Sequence, residues 1–128
     1  MLVRRLQDIE NTPADVKADT WRSRRLLLKG DGMGFSVHDT IIHAGTITRM
    51  WYRHHLEAVY CIEGTGTLEA LDSGELWSIE PGTLYALDRH DKHMLRAETT
   101  LRLVCVFQPG VVGTEVHGPD GSYPAAAE

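Results

Sequence analysis

The chain contains 128 residues, of which 42% are hydrophobic and 24% are charged, a composition typical of a single globular domain. A formal net charge of -5 at pH 7 argues against a nucleic-acid partner, because proteins that bind phosphate backbones concentrate Lys and Arg on one face. No apolar run is long enough to span a bilayer, and residues 1–8 lack the continuous apolar core of a signal peptide. We therefore expect a cytoplasmic protein with neither a nucleic-acid nor a membrane partner.

Turn residues recur at short intervals along the chain, and the segments between them are too brief for ordinary helices. Residues 12–20 are expected to hold one short helix. Residues 25–29 and 35–43 flank a glycine-rich turn, which predicts a β-hairpin. Further short strands are predicted at residues 56–63, 67–71, 76–79, 84–87 and 101–107. Many short strands separated by Gly and Pro turns indicate an all-β sandwich or a closed jelly roll.

The last part of the chain differs in composition, because it becomes rich in glycine after Pro109. We place one domain at residues 1–117 and expect residues 118–128 to form a flexible tail unless something docks it. Cys61 and Cys105 are too few for a disulfide framework or a zinc knuckle. Two buried free thiols are the simpler prediction.

Two stretches carry residues with metal-binding chemistry. Glu57 lies in the strand predicted at 56–63, while Tyr85 lies on the strand predicted at 84–87 and His93 follows it. A carboxylate, a phenol and an imidazole brought together can hold one divalent ion. Neither stretch indicates such a site alone.

The direction in which Glu57 points stays open from the pattern, because side chains two residues apart share one face of a strand. If Glu57 faces inward with Val59 and Cys61, its buried carboxylate needs a partner or a metal ion. In the alternative, Ala58 and its same-face neighbours fill the core and Glu57 is solvated. For Tyr85, a core tyrosine with a satisfied hydroxyl is the simpler structural interpretation.

The stretch around Glu57 and the stretch from Pro81 to His93 resemble the two sequence motifs of the cupins. Cupins are small β-barrels that usually hold a metal ion by histidines and a glutamate. Two histidines usually precede the glutamate, and here Trp51 and Arg53 occupy those positions. Of the common ligand set only the glutamate and the last histidine are present, so a third ligand must come from elsewhere.

A closer similarity extends from about Val3 to Tyr123. Residues 24–29, 31–36, 38–42, 55–64, 81–88 and 102–107 resemble the ectoine synthases nearly throughout. This resemblance implies a single cupin-type jelly-roll β-barrel with at most one or two short helices. It also implies the family's reaction, a hydro-lyase cyclisation of N-γ-acetyl-L-2,4-diaminobutyrate to ectoine, which is a compatible solute made under osmotic stress.

The resemblance further implies roles for twelve residues and a Fe(2+) cofactor. The implied metal ligands are Glu57, Tyr85 and His93, the catalytic residues are Tyr52, Glu115 and His117, and the substrate-binding residues are Trp21, Arg25, His38, Thr40, Cys105 and Phe107. A metal ion with three protein ligands keeps open positions for a substrate, as a catalytic site requires. A carboxylate and an imidazole can move the protons that the cyclisation needs, and the planar fork of an arginine suits a substrate carboxylate.

The family resemblance also implies a homodimer, for which the sequence itself indicates no interface. Two other functions stay open at this point. The chain could be another iron-dependent cupin enzyme, such as a dioxygenase or an isomerase, or a cupin that binds a ligand without turnover. An assay of cyclisation against oxygen uptake separates these possibilities.

Overall fold

The structure is a computed structural model that describes residues 1–125 and consists mainly of β-strands. The helix α1 spans Leu6–Ile9, a 3-10 turn spans Lys29–Asp31, and the strands are β1 (Asp15–Lys17), β2 (Trp21–Leu27), β3 (Ser36–Ile42), β4 (Ile47–Met50), β5 (Leu56–Glu63), β6 (Gly66–Ala70), β7 (Leu76–Ile79), β8 (Leu84–Leu87), β9 (His93–Ala97) and β10 (Leu101–Gln108). Within residues 1–125, no helix has the length and apolar character needed to cross a membrane.

The strands form two antiparallel sheets. One has six strands in the order β1-β2-β3-β10-β5-β8, and the other has four in the order β4-β9-β6-β7. The core lies between them, because the inward residues of both sheets are buried in one hydrophobic cluster. The expected all-β jelly-roll architecture is therefore confirmed.

Strand β5 shows which face of the large sheet looks into the core. Glu57, Val59 and Cys61 are 7%, 1% and 0% exposed, whereas Leu56 and Tyr60 between them are 38% and 45% exposed. The inward alternative for Glu57 is thus the one that the fold adopts. The two cysteines are buried free thiols, as predicted.

The helix expected within residues 12–20 is wrong. The described chain has strand β1 there, and Asp15 pairs with Arg24 of β2 while the Arg22 side chain donates to the Asp15 carboxylate at 2.6 Å. Pro13 lacks the backbone N–H that a continuing helix requires, and pairing with β2 gives the segment its backbone hydrogen bonds. The short α-helix lies earlier, at Leu6–Ile9.

The predicted hairpin is confirmed, since β2 and β3 are antiparallel neighbours joined through the 3-10 turn. The later strand predictions are also confirmed to within a residue of their bounds. Strands β4 and β9 were not predicted. They pair with each other in the small sheet, with Met50 opposite His93.

The chain after β10, residues 109–125, is here called the C-terminal segment, and it contains both buried and exposed residues. The tail was expected to be flexible unless something docks it. Part of it lies against the barrel. The Gly121 carbonyl accepts a hydrogen bond from the Trp51 N–H at 2.9 Å, and the Ser122 hydroxyl accepts one from the Arg53 N–H at 3.1 Å. Gly121 has φ of +81°, and a Cβ there would meet the Arg49 carbonyl oxygen at 2.9 Å. Residues 126–128 of the predicted tail lie outside the described residues.

Candidate active site

A cavity of about 30 Å³ lies between the two sheets. One water molecule needs on the order of 10–15 Å³ measured in the same way, so the cavity has room for an ion and about one water. Nine of the twelve residues with predicted roles line it, namely Trp21, His38, Thr40, Tyr52, Glu57, Tyr85, Cys105, Phe107 and His117. The other three, Arg25, His93 and Glu115, are buried beside it or beside an adjoining cavity.

The predicted metal ligands come from both sheets. Glu57 on β5 lies opposite Leu87 of β8, and Tyr85 lies opposite Val59, so Glu57 and Tyr85 are diagonal neighbours on one face. His93 begins β9 in the facing sheet. Tyr85 lines the central cavity together with Glu57, and it lines a second cavity of about 310 Å³ together with His93.

His93 presents one free nitrogen. Its Nδ1 lies 2.9 Å from the Asp91 carbonyl oxygen. Because a carbonyl only accepts, Nδ1 carries the hydrogen and Nε2 carries a lone pair. That Nε2 atom is buried without a hydrogen-bond partner, and burial lowers the pKa of the imidazole. A neutral imidazole with one fixed hydrogen and one bare nitrogen is the usual state of a metal ligand.

Glu57 and Tyr85 are held in an environment that disfavours their charged forms. Burial raises the pKa of the Glu57 carboxyl to about 8, although a hydrogen bond from the Cys105 thiol offsets part of this. Burial, followed by the nearby Glu57 charge, raises the pKa of the Tyr85 phenol well above its usual value. A bound divalent cation would reverse both effects, because it favours the anionic form of each donor.

The donor set therefore fits a divalent metal ion. It combines a buried carboxylate, a phenol oxygen and an unpartnered imidazole nitrogen, which ferrous iron accepts along with several other divalent ions. Within residues 1–125, no group of three or more His, Cys, Asp and Glu side chains is arranged to hold a metal. A site here consequently depends on the Tyr85 oxygen as its third protein donor.

Tyr52 and His117, which both line the cavity, form a hydrogen-bonded pair. The Tyr52 hydroxyl lies 2.7 Å from His117 Nε2. Burial raises the pKa of Tyr52 well above its usual value, and burial lowers the pKa of His117 to about 4. Both groups are therefore neutral at pH 7. We assign the His117 hydrogen to Nδ1, so that the phenol donates to Nε2, which is a stronger acceptor than the Met50 sulfur 3.3 Å from the same hydroxyl. His90 supports the pair, because its Nδ1 donates to the Tyr52 carbonyl oxygen at 2.7 Å.

Arg25 is buried beside the cavity, and its side chain donates hydrogen bonds to neighbouring groups. Its Nη2 donates to the Glu115 main-chain oxygen at 2.7 Å, and its Nε donates to the Ser23 hydroxyl at 3.2 Å. Its Nη1 is buried without a hydrogen-bond partner, 3.7 Å from a Glu115 carboxylate oxygen. An unpartnered cationic donor in this position can bind an anionic group of a ligand.

The Glu115 carboxylate is hydrogen-bonded to the backbone. It accepts hydrogen bonds from the Val112 and Gly113 N–H groups at 2.7 and 2.8 Å. Burial raises the pKa of this carboxyl, but the backbone hydrogen bonds and the Arg25 charge outweigh it and leave the pKa below the usual value. Glu115 thus fixes the C-terminal segment against Arg25, while its catalytic role stays a prediction.

His38 has a protein partner at each ring nitrogen. Ser23 Oγ lies 3.2 Å from Nδ1 and Ser36 Oγ lies 3.0 Å from Nε2, while the ring stacks on Phe107 at 4.9 Å. Thr40 and Cys105 lie deeper, where the Cys105 thiol contacts Glu57. The substrate contacts predicted for these residues stay predictions.

Two residues at the site were not predicted from the sequence. Tyr123 lines the cavity and is 4% exposed, and it is the only Phe, Trp or Tyr after Phe107. An aromatic residue in a glycine-rich segment was the available signal. His55 is 1% exposed with both ring nitrogens unpartnered. It shares the parity of Glu57, so the inward direction of Glu57 implies that His55 is buried as well.

Comparison with known proteins identifies the family. A family model described as ectoine synthase matches residues 1–127. The L-ectoine synthase of Desulfatibacillum aliphaticivorans is 64% identical over 126 residues, which cover 97% of each chain. The chain belongs to the ectoine synthase family. The L-ectoine synthase of Oceanobacillus iheyensis is 55% identical over 128 residues, which cover 100% of both chains.

The fold agrees with that of a solved ectoine synthase. The crystal structure of ectoine synthase from P. lautus matches with a TM-score of 0.89 and 52% identity, covering 100% of this chain and 93% of that chain. The chain is accordingly an enzyme of the hydro-lyase class with a cupin-type fold.

Proposed function

We propose that this enzyme is an L-ectoine synthase that converts N-γ-acetyl-L-2,4-diaminobutyrate into L-ectoine and one water molecule. The proposal is carried by a buried cavity lined by nine of the twelve residues implied by the family resemblance. Membership of the family over nearly the whole chain supports the same activity.

The reaction forms one C–N bond and removes one oxygen. The α-amine of the substrate attacks the carbonyl carbon of its own acetamide, and the carbonyl electron pair moves onto the oxygen. That oxygen then leaves as water, taking two protons with it, and a C=N bond completes the cyclic amidine. An amide is a poor electrophile, so the site must both fold the substrate on itself and assist the departure of the oxygen.

Within this proposal, Glu57, Tyr85 and His93 hold Fe(2+). When bound, a ferrous ion supplies Lewis-acid polarisation of the acetyl carbonyl, an effect worth on the order of several kcal/mol. The support for this assignment is the buried, unpartnered Nε2 of His93 together with the desolvated Glu57 carboxyl.

The Tyr52–His117 pair is proposed to move the proton from nitrogen to oxygen. After the amine attacks, the Tyr52 oxygen takes a proton from the new ammonium as its own hydrogen moves to His117 Nε2, 2.7 Å away. The pair returns this proton from the Tyr52 oxygen to the former carbonyl oxygen, which becomes a hydroxyl. A second transfer of the same kind, from the nitrogen to the hydroxyl, lets the oxygen leave as water. The low pKa of His117, about 4, favours this return, because the imidazolium form holds the proton only briefly.

Arg25 is proposed to bind the substrate carboxylate through Nη1, its unpartnered donor. Glu115 contributes by holding the guanidinium, which donates to the Glu115 carbonyl oxygen. Trp21 and Phe107 both line the cavity and are proposed to wall the apolar part of the substrate. The cavity of about 30 Å³ is smaller than the substrate, so its lining side chains have to move apart on binding. Folding the substrate between these groups supplies the proximity that an intramolecular attack needs.

The enzyme is further proposed to act as a homodimer in the cytoplasm. The outer face of the six-stranded sheet exposes apolar side chains near its β8 edge, where Tyr60 pairs with Leu84 and these are 45% and 63% exposed. A second copy packed on this face would cover the apolar area and the unpaired edge strand together. A cytoplasmic location suits a substrate and a product that are small polar metabolites.

The test of the proposed activity is a product assay on anaerobically purified, iron-loaded enzyme. Mass spectrometry should find a product lighter than the acetylated diaminobutyrate by one water, formed without oxygen uptake. Oxygen consumption instead would indicate a dioxygenase, and substrate binding without any product would indicate a binding protein. The matched variant is Glu57→Gln, which should abolish iron retention and turnover together.

A further inference from the structure

Tyr123 of the C-terminal segment lies at the centre of the predicted active-site side chains. Its ring is surrounded by five groups, with centroid distances of 4.8 Å to His117, 5.0 Å to Tyr52, 5.3 Å to Phe107 and 6.2 Å to His55, and the Arg25 guanidinium 5.3 Å from its centroid. Four of these five groups carry predicted catalytic or substrate-binding roles. The ring therefore contacts several of the groups that must be aligned during the reaction.

The contact with His117 is a parallel stack. The Tyr123 and His117 ring planes are inclined by 14°, while the Trp21 ring meets His117 from another side as an edge contact at 5.4 Å. The hydrogen bond from Tyr52 fixes the distance to His117 Nε2, but one hydrogen bond leaves the imidazole free to tilt about it. The Tyr123 stack fixes the plane of the imidazole, so that the Nε2 lone pair points at the Tyr52 hydroxyl.

The phenol oxygen of Tyr123 has a second contact. It accepts a hydrogen bond from Arg25 Nη2 at 3.4 Å. The same Nη2 donates to the Glu115 carbonyl oxygen. These two acceptors leave Nη1 without a hydrogen-bond partner, 3.7 Å from a Glu115 carboxylate oxygen, and Nη1 is the donor proposed to bind the substrate carboxylate.

Tyr123 reaches this position because residues 118–122 dock on the chain that carries Tyr52. The backbone turns between Gly118 and Ser122, with the Gly118 N–H donating to the Ser122 carbonyl oxygen at 2.8 Å. Trp51 is the residue immediately before Tyr52, and its N–H donates to the Gly121 carbonyl oxygen. Docking of the segment and the position of Tyr52 are thereby linked by adjacent residues.

We propose that Tyr123 is a positioning residue of the active site, whose ring orients His117 toward Tyr52 and whose hydroxyl orients Arg25 toward the substrate carboxylate. This inference deepens the proposed function and rests on it. The ring acts on the chemical step through His117. The hydroxyl acts mainly on substrate binding through Arg25, although it also interacts with the Tyr52 side chain. Loss of the ring should therefore mainly lower kcat, and loss of the hydroxyl should mainly raise KM.

Two variants separate these parts. Tyr123→Phe keeps the ring and removes the hydroxyl, so kcat should stay within about twofold of the parent while KM rises several-fold. Tyr123→Leu removes the ring, and kcat should fall by about tenfold or more because the Tyr52–His117 pair is misaligned. The control is Asp120→Asn in the same segment. It loses the charge of the exposed ion pair with Arg53 but keeps an oxygen that can accept from the Ser122 N–H, so kcat and KM should stay within about twofold.

A second test needs no turnover. It follows the NMR signal of the His117 ring in protein labelled at histidine. This signal is assigned by its absence in His117→Gln. The ring-current shift from the stacked Tyr123 should persist in Tyr123→Phe and disappear in Tyr123→Leu. An unchanged His117 resonance in Tyr123→Leu, or equal losses of kcat in both variants, would overturn the proposal. If Tyr123→Leu does not fold by urea titration, the KM and kcat of Tyr123→Phe decide alone. Absence of ectoine from the parent enzyme would refute the proposed function while leaving the resonance test intact.

Discussion

The substitution Glu57→Gln should have opposite effects on the metal-free and the iron-loaded enzyme. Burial raises the pKa of this carboxyl from 4.5 to about 8, so the folded state binds a proton that the unfolded chain releases between these pH values. Stability of the metal-free enzyme is therefore lost as pH rises through this window. The difference between the two pKa values corresponds to roughly 5 kcal/mol at the upper limit.

Gln is nearly the same size as Glu and carries no charge at any pH, so it avoids this cost. The stability of metal-free Glu57→Gln relative to the parent should increase from pH 5 to pH 8 by roughly 3–4 kcal/mol, because this range covers only the part of the window above pH 5. With Fe(2+) the order should reverse, because only the parent gains the binding free energy of the ion.

Urea unfolding of both proteins at pH 5, 6.5 and 8, with and without the metal, measures these differences. The control is Glu80→Gln, since Glu80 is exposed on the surface and its replacement should give a difference that is small at every pH. A stability difference between Glu57→Gln and the parent that does not change with pH would refute the conclusion that the carboxyl is desolvated. A variant that still binds iron stoichiometrically would refute its role as a ligand.

Three further substitutions test other parts of the molecule. Tyr52→Phe removes the hydroxyl that donates to His117 and should lower kcat by about 10² to 10⁴ with little change in KM; steady-state kinetics with unchanged kcat would contradict the proton transfer. Arg25→Lys loses the forked donor geometry and should raise KM by about tenfold, while an unchanged KM would exclude it as the carboxylate ligand. Asp39→Asn breaks buried ion pairs with two arginines on the outer face and should cost roughly 1–3 kcal/mol in urea unfolding at pH 7. Burial raises the Asp39 pKa but the arginines lower it overall, so this difference should vanish as pH falls below about 4, and a difference that persists there would contradict the pairing.

The sequence predicted the strands whose ends are marked by turns. Strands β7 and β8 have the predicted bounds, because Gly74 and the Pro81–Gly82 pair interrupt the chain beside them. Strand β9 has no such mark. Strand β4 has a mark at one end only, at Gly45, and it alternates only over four residues, from exposed Ile47 to buried Met50. The false helix at residues 12–20 arose because β1 is a three-residue strand that exists only through its pairing with β2.

The site was predictable to the extent that family resemblance supplied its residues. Alternation alone left the direction of Glu57 undecided, and the burial of β5 against the facing sheet decides it. Tyr123 could not be placed from local pattern, because its position depends on Gly121 docking against a strand some seventy residues earlier in the chain. Contacts between segments so distant in sequence leave no periodic signal in either segment.

The hydrogen bonds of the Glu115 carboxylate likewise could not be predicted from the sequence. A carboxylate near the end of the chain predicted an acid or base, whereas the structure shows its oxygens accepting from Val112 and Gly113. Backbone amides that turn toward a side chain two or three residues away depend on loop conformation, which residue types alone do not specify.

The most direct measurement follows the acetyl oxygen of the substrate. Iron-loaded enzyme supplied with N-γ-acetyl-L-2,4-diaminobutyrate labelled with ¹⁸O in the acetyl group should release the label as water and yield ectoine of unlabelled mass. Label retained in the cyclic product, or no product at all from enzyme with its iron bound, would contradict dehydrative cyclisation as the reaction of this site.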